Sequence, residues 1–151
     1  QRDSLHAKEY ETNAKLLNQK LDALDATYKK QLANCASRDI ITSHTAFAYL
    51  ADAYGLKQIS ISGLSPEEEP SAKQLAEVAE FARKNNTKYI FFESLVSPKL
   101  SETIAREIGA STLVLDPIEG ISDDDIQACK NYFTVMESNL KNLTTALQCT
   151  Q

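Results

Sequence analysis

The sequence predicts an α/β fold: a four-stranded parallel sheet with helices on both faces, preceded by a long linking α-helix. Three observations predict it. Between residues 39 and 147, four short β-type runs alternate with helix-period stretches, the pattern of successive βαβ units. Crossovers of that kind are right-handed and lay helices over both sides of the sheet. Ahead of them, residues 1–34 contain no glycine or proline, and Tyr10, Ala14, Leu17, Leu21, Leu24, Tyr28 and Leu32 recur at spacings of three and four. Finally, 151 residues with 42% hydrophobic content suffice for one packed domain.

Each element carries its own local signals. A helix over residues 1–34 would be about 50 Å long, more than a domain of this size is wide. It therefore links the domain to something larger or lies across its outside, and residues 35–151 form the α/β lobe. Asp39–Thr42 is the first strand. The helix through Phe47, Leu50 and Tyr54 stops at Gly55. Gln58–Ser62 alternates polar and apolar as the second strand and ends at Gly63. After the polar loop from Ser65 to Pro70, the spacing of Ser71 to Gln74 makes a capping box for a helix to about Asn85. Lys88–Phe92 is the third strand. Ser97 as N-cap with Pro98 at the first helical position opens a helix that closes at Gly109. Thr112–Leu115 is the fourth strand. Ser122, with Asp125 three residues on, opens one last helix carrying Ile126, Cys129, Phe133, Met136, Leu140, Leu143 and Leu147 as an apolar stripe. On that stripe Cys129 is expected to be buried in the core.

Charge and composition exclude several classes of function. The net charge is −5, from 16 basic and 21 acidic residues with no Lys/Arg cluster, which argues against a nucleic-acid partner. The longest apolar run, Ala46 to Ala51, is far short of the roughly 20 residues of a membrane-spanning helix. The only methionine is Met136 and the chain begins at Gln1, so a preceding segment is expected to have been removed.

In an open parallel sheet, ligands bind beyond the carboxyl ends of the strands. The first strand is followed there by Ser43-His44, the second by Gly63 and a glutamate-rich loop, the third by Glu93, and the fourth by Asp116-Pro117-Ile118-Glu119. One imidazole and several carboxylates on a single edge make a ligand set for zinc or manganese. The other histidine, His6, reads as a solvated residue of the long helix. Zinc takes about four ligands, so those on this edge leave a site incomplete without further residues from elsewhere. A flavodoxin-like enzyme or cofactor domain using the same edge, with His44 as general base and Glu93 or Glu119 as acid, is the alternative. It lacks a glycine-rich phosphate loop after the first strand and a nucleophile-elbow motif. A regulatory module acting through the long helix is a third reading, and it predicts a dimer through that helix.

Three strings carry a family resemblance: Ser43-His44-Thr45-Ala46-Phe47-Ala48-Tyr49-Leu50, Tyr54-Gly55-Leu56, and Ile61-Ser62-Gly63-Leu64-Ser65-Pro66-Glu67-Glu68-Glu69-Pro70-Ser71. With Phe91-Phe92-Glu93 and Leu115-Asp116-Pro117-Ile118-Glu119, they resemble the C-terminal lobe of the zinc/manganese solute-binding proteins of bacterial ABC transporters, the ZnuA/AdcA/TroA type. The resemblance implies extracytoplasmic capture of a divalent metal for a membrane ABC permease, with no reaction catalysed. It implies a periplasmic protein or cell-surface lipoprotein whose metal lies in a cleft between two lobes joined by one long helix. His44 then matches the histidine ligand of the C-terminal lobe, Glu119 the carboxylate ligand, with Asp116 or water as the alternate, and Glu93 a residue orienting the site. The two histidines of an N-terminal lobe have no counterpart in this chain. Histidine at position 44 resembles the zinc branch more than the manganese one. The Ser65–Pro70 loop is a candidate surface for docking the permease, beside its plainer reading as a solvated turn.

Three cysteines allow three single bridges. Cys129 and Cys149, on one continuous helix, would lie about 30 Å apart and cannot pair. Cys35 ends the long helix and Cys149 ends the last one, so a Cys35–Cys149 disulfide would close almost the whole lobe, as fits an exported protein. Three free thiols would fit a reducing compartment.

Overall fold

The computed structural model describes residues 3–65, 68–95 and 97–150. Along the chain these are α1 (Ala7–Gln31), β1 (Asp39–Thr42), α2 (Ala48–Tyr54), β2 (Lys57–Ser60), α3 (Ala72–Lys84), β3 (Tyr89–Phe92), α4 (Lys99–Ile108), β4 (Ser111–Val114), α5 (Asp123–Gln127) and α6 (Tyr132–Ala146). The four strands pair in parallel in the order β2-β1-β3-β4. The expected fold class is the one observed.

Register fixes which residues share a face. Thr42 stands opposite Ser60 on one side and Phe91 on the other, and Ile41 opposite Ile59. Ile41, Ile59 and Ile90 point into one core with Val78 and Ala82 of α3 and Ile104 and Ala105 of α4. Ile40 and Phe91 point into the other, with Tyr28 and Leu32 of the spine, Ala51 of α2, and Leu140, Leu143 and Leu147 of the last helix. Helices thus cover both faces. The chain steps from β1 to β2 on one side and then crosses to β3 and β4 on the other, so the crevice at the carboxyl ends of β1 and β3 is the topological switch point.

Local signals account for most helix ends. Ser71 and Gln74 close the expected capping box on α3, and Ser122 accepts the Asp125 amide at the start of α5. Gly55 and Gly109 end α2 and α4 in the left-handed conformation, where glycine carries no Cβ penalty. Pro98, not Ser97, is the cap of α4, and it offers no side-chain acceptor.

Two elements differ from expectation. The spine helix is shorter than residues 1–34: it runs from Ala7 to Gln31, about 37 Å, with His6 as its cap. Its packing is also uneven. α1 and α6 lie side by side in the same direction, with Lys20 over the Phe133 ring and the Tyr28 hydroxyl donating to the Met136 carbonyl at 2.6 Å. Tyr28 and Leu32 are buried, whereas Tyr10, Leu16 and Leu17 earlier in the helix are exposed.

The expected single last helix is two helices. α5 closes in a Schellman motif: the Cys129 amide donates to Ile126 O at 3.0 Å and the Lys130 amide to Asp125 O at 2.9 Å. Cys129 fills the left-handed position at φ 55° and is exposed, so it is not the core residue its place on the stripe suggested. Ile126 is 61% exposed for the same reason. Asn131 then starts α6 afresh, its side chain accepting the Phe133 and Thr134 amides. Only the stripe from Phe133 onward faces the body of the protein. The Cys35–Cys149 disulfide is formed, as expected, and Thr150 N donates to Asn34 O beside it.

Candidate metal centre

β1 delivers His44 and β3 delivers Glu93 to the switch point. Both side chains are almost fully enclosed, at 2% and 3% exposure, and His44 Nδ1 sits against Glu93 Oε1. Ser43 Oγ donates to the same Glu93 oxygen at 2.8 Å. Burial pushes the Glu93 carboxyl above the usual carboxylate range; the Ser43 hydrogen bond and the His44 imidazole pull it back, and the Glu119 charge pushes it up again. That last influence places Glu119 within electrostatic reach of the pair.

Position 44 is held through its backbone as well as its ring. Thr42 Oγ1 donates to the His44 carbonyl at 2.8 Å, Gln58 Nε2 at 3.0 Å and the Ala46 amide at 3.1 Å. Gln58 Nε2 also donates to Thr42 Oγ1 at 2.8 Å. The loops after β1 and β2 are stitched together by Thr45 N to Gly63 O and Ser62 N to Ser43 O, both 2.9 Å. The Glu68 carboxylate packs directly on Gly63, in the space a Cβ there would occupy. Of the candidate docking loop, Pro66 and Glu67 lie outside the described residues.

Asp116 and Glu119 take different positions on the loop after β4. Asp116 Oδ1 accepts the Ile118 amide at 2.7 Å, an Asx turn, and its Oδ2 accepts from Ser94 Oγ. Asn139 of α6 clamps its backbone in both directions, accepting from Asp116 N at 2.9 Å and donating to Asp116 O at 2.7 Å. Ile118 sits at φ 62°, an uncommon conformation for a β-branched residue, and carries the chain round to an exposed Glu119. His6 is remote in role: it is exposed and pairs with Asp3 at 2.9 Å.

His44 and Glu93 thus meet at the carboxyl edge, Glu119 is on the loop after β4 and acts on Glu93 through its charge, and Asp116 is engaged in shaping that loop. Among the described residues, no three His, Cys, Asp or Glu side chains are grouped so as to hold a metal ion. Sequence patterning missed Ser43, Thr42, Gln58 and Asn139 as supports. The signal for Gln58 was a lone amide at a position paired with Ile40 on the apolar face; for Asn139, an amide flanking Leu140 on the buried stripe.

Comparison with known proteins agrees with this architecture. The family described as ZnuA, zinc-uptake complex component A, periplasmic, matches residues 1–146. The zinc-binding lipoprotein AdcA of Streptococcus pneumoniae is 46% identical over 148 residues, covering 94% of this chain and 30% of AdcA. The high-affinity zinc uptake system protein ZnuA of Bacillus subtilis is 44% identical over 138 residues, 91% of this chain and 43% of that protein. The crystal structure of the laminin-binding protein Lbp of Streptococcus pyogenes superposes with a TM-score of 0.86 at 38% identity, covering 96% of this chain and 56% of Lbp. The chain therefore spans less than half the length of these two curated relatives.

Proposed function

We propose a function from one premise: the chain belongs to the ZnuA family of zinc-uptake proteins. It serves as the C-terminal half of an extracytoplasmic binding protein that captures a divalent cation, zinc ahead of manganese, and passes it to an ABC permease. No bond is made or broken in that cycle. The metal is cargo.

The buried His44–Glu93 pair at the switch point carries this reading. Glu93 Oε1 lies against Nδ1 as a close ion-pair contact, which leaves Nε2 as the nitrogen to face a metal, in the manner of the carboxylate–histidine–metal arrangement. Glu119, exposed and acting on Glu93 through its charge, is the second ligand. Asp116 is set aside because both its oxygens already have donors. An imidazole with few carboxylates suits zinc better than manganese. Zinc takes about four ligands, so the remainder come from a second lobe reached through the linking segment 1–34, whose helix is α1 (Ala7–Gln31), with residues 35–151 as the metal-binding lobe. Coverage of 30% and 43% of the AdcA and ZnuA relatives supports a lobe beyond these 151 residues.

Zinc titration tests the assignment. In a form joined to its second lobe, His44→Ala is expected to lower zinc affinity by about 100-fold or more, whereas His6→Ala leaves it unchanged. Unchanged affinity in His44→Ala overturns the ligand assignment. Tight, stoichiometric zinc binding by the 151-residue chain alone overturns the division of the site between two lobes.

A further inference from the structure

Gln58 is out of place chemically. On β2 it stands opposite Ile40, on the face whose core is Ile40, Phe47, Ala51 and Leu56. Its two amide hydrogens go to Thr42 Oγ1 at 2.8 Å and His44 O at 3.0 Å, and Thr42 Oγ1 donates to His44 O at 2.8 Å, closing a ring of three hydrogen bonds. The reversed amide would set oxygen against the His44 carbonyl, so its orientation is determined. The remaining atom, Gln58 Oε1, is buried without a hydrogen-bond partner among the described residues.

Gln58 is half-buried on the edge strand β2, and an apolar side chain of similar length fits that position without burying an unpaired oxygen. Without the amide, Thr42 still donates to His44 O and the Ala46 amide still reaches that carbonyl at 3.1 Å, so no buried group loses its last partner. An unpaired buried oxygen is a cost the fold itself does not require. Features that disagree with local packing yet persist belong to sites more often than to scaffolds. The amide donates to Thr42 Oγ1 and to the His44 carbonyl, and Thr42 Oγ1 donates to that same carbonyl, so both of its bonds converge on the backbone of the residue whose imidazole meets Glu93.

We infer that Gln58 is a positioning residue for the metal-binding histidine: through the Thr42 ring it locks the His44 backbone from the β2 side, as Glu93 locks the imidazole from the β3 side. The inference rests on His44 as a metal ligand. Its consequence is a trade: the amide holds the ligand at the expense of the fold.

Gln58→Met is the test, read in three ways on the zinc-binding protein. Expected are a zinc affinity lowered about tenfold, the low end for outer-shell partners, a Tm unchanged or raised, and shifted or broadened imidazole 15N resonances of His44. Thr42→Val should lower affinity in the same direction, and Thr42→Ser, which keeps the hydroxyl, should restore it. Unchanged affinity in Gln58→Met overturns the inference. So does a fall in both Tm and affinity with the His44 resonances unmoved, which would make Gln58 a structural residue. Were His44→Ala itself to keep full affinity, the ligand assignment would fail instead, and the two failures are distinct.

Discussion

The two ends of the sheet are built on opposite terms. At the amino end, the Cys35–Cys149 disulfide joins the exit of α1 to the exit of α6, and Thr150 N and Ser37 N bond across the same junction. Arg38 closes the end of the spine, its Nη1 donating to Leu32 O at 2.6 Å and its Nη2 to Ala33 O at 2.7 Å. Tyr28, Leu32, Leu143 and Leu147 fill the space behind. At the carboxyl end lie a buried histidine and glutamate and, among the described residues, an orphaned amide oxygen, with an isoleucine in left-handed backbone on the loop after β4. Polar groups there are arranged around one another rather than around the core. The contrast teaches a division of labour: cohesion is concentrated where β1 begins, and the proposed metal site lies where it ends, about four residues later.

The largest expected effect tests the amino end. Replacing both bridging cysteines with serine should lower unfolding free energy by about 3–5 kcal/mol, since the bridge closes most of the chain. Zinc affinity of the folded protein should not move; a change there would break the division. Next comes the place where the two ends are joined. Asn139 reaches from α6 to both backbone groups of Asp116, and Asn139→Ala should cost about 2 kcal/mol by leaving them unpaired. Because it also holds the loop that carries Glu119, zinc affinity should fall with it, in contrast to the cysteine variant.

Smaller effects sharpen the carboxyl end. Glu119→Gln should weaken zinc binding about tenfold, near 1.4 kcal/mol, with little change in Tm. Asp116→Asn should weaken it less, and the reverse order in an isothermal titration would exchange their roles. The smallest effect belongs to the exposed stretch of the spine. Leu17, half exposed at 50%, should tolerate alanine within about 0.5 kcal/mol, whereas Leu32→Ala should cost about 2–5 kcal/mol in denaturant unfolding.

Much of the fold was legible because its signals are local. The capping box of Ser71 with Gln74, the glycines at 55 and 109, and the β-branched runs each determine a boundary within a few residues. The break at Cys129 was not legible, because no glycine marks the left-handed position and the apolar spacing runs straight through it. The Asn131–Thr134 capping box was the one local signal of the break, and the periodicity masked it. At the site, His44, Glu93 and the loop after β4 could be placed from the residues next after each strand. The supports could not, since Gln58, Thr42 and Asn139 matter only through cross-strand and helix-to-loop contacts that depend on register and on the packing of α6. Patterning locates the groups that carry charge; it does not find the uncharged groups that aim them.

The left-handed turn between α5 and α6 has a practical consequence. With Cys35 and Cys149 bonded to each other, Cys129 is the one thiol left among three cysteines, and it faces solvent. It follows the Asp116–Glu119 segment by only a short helix. A spin label or fluorophore could be attached there without introducing a cysteine, so the unaltered chain supplies its own reporter one short helix beyond the loop that carries Glu119.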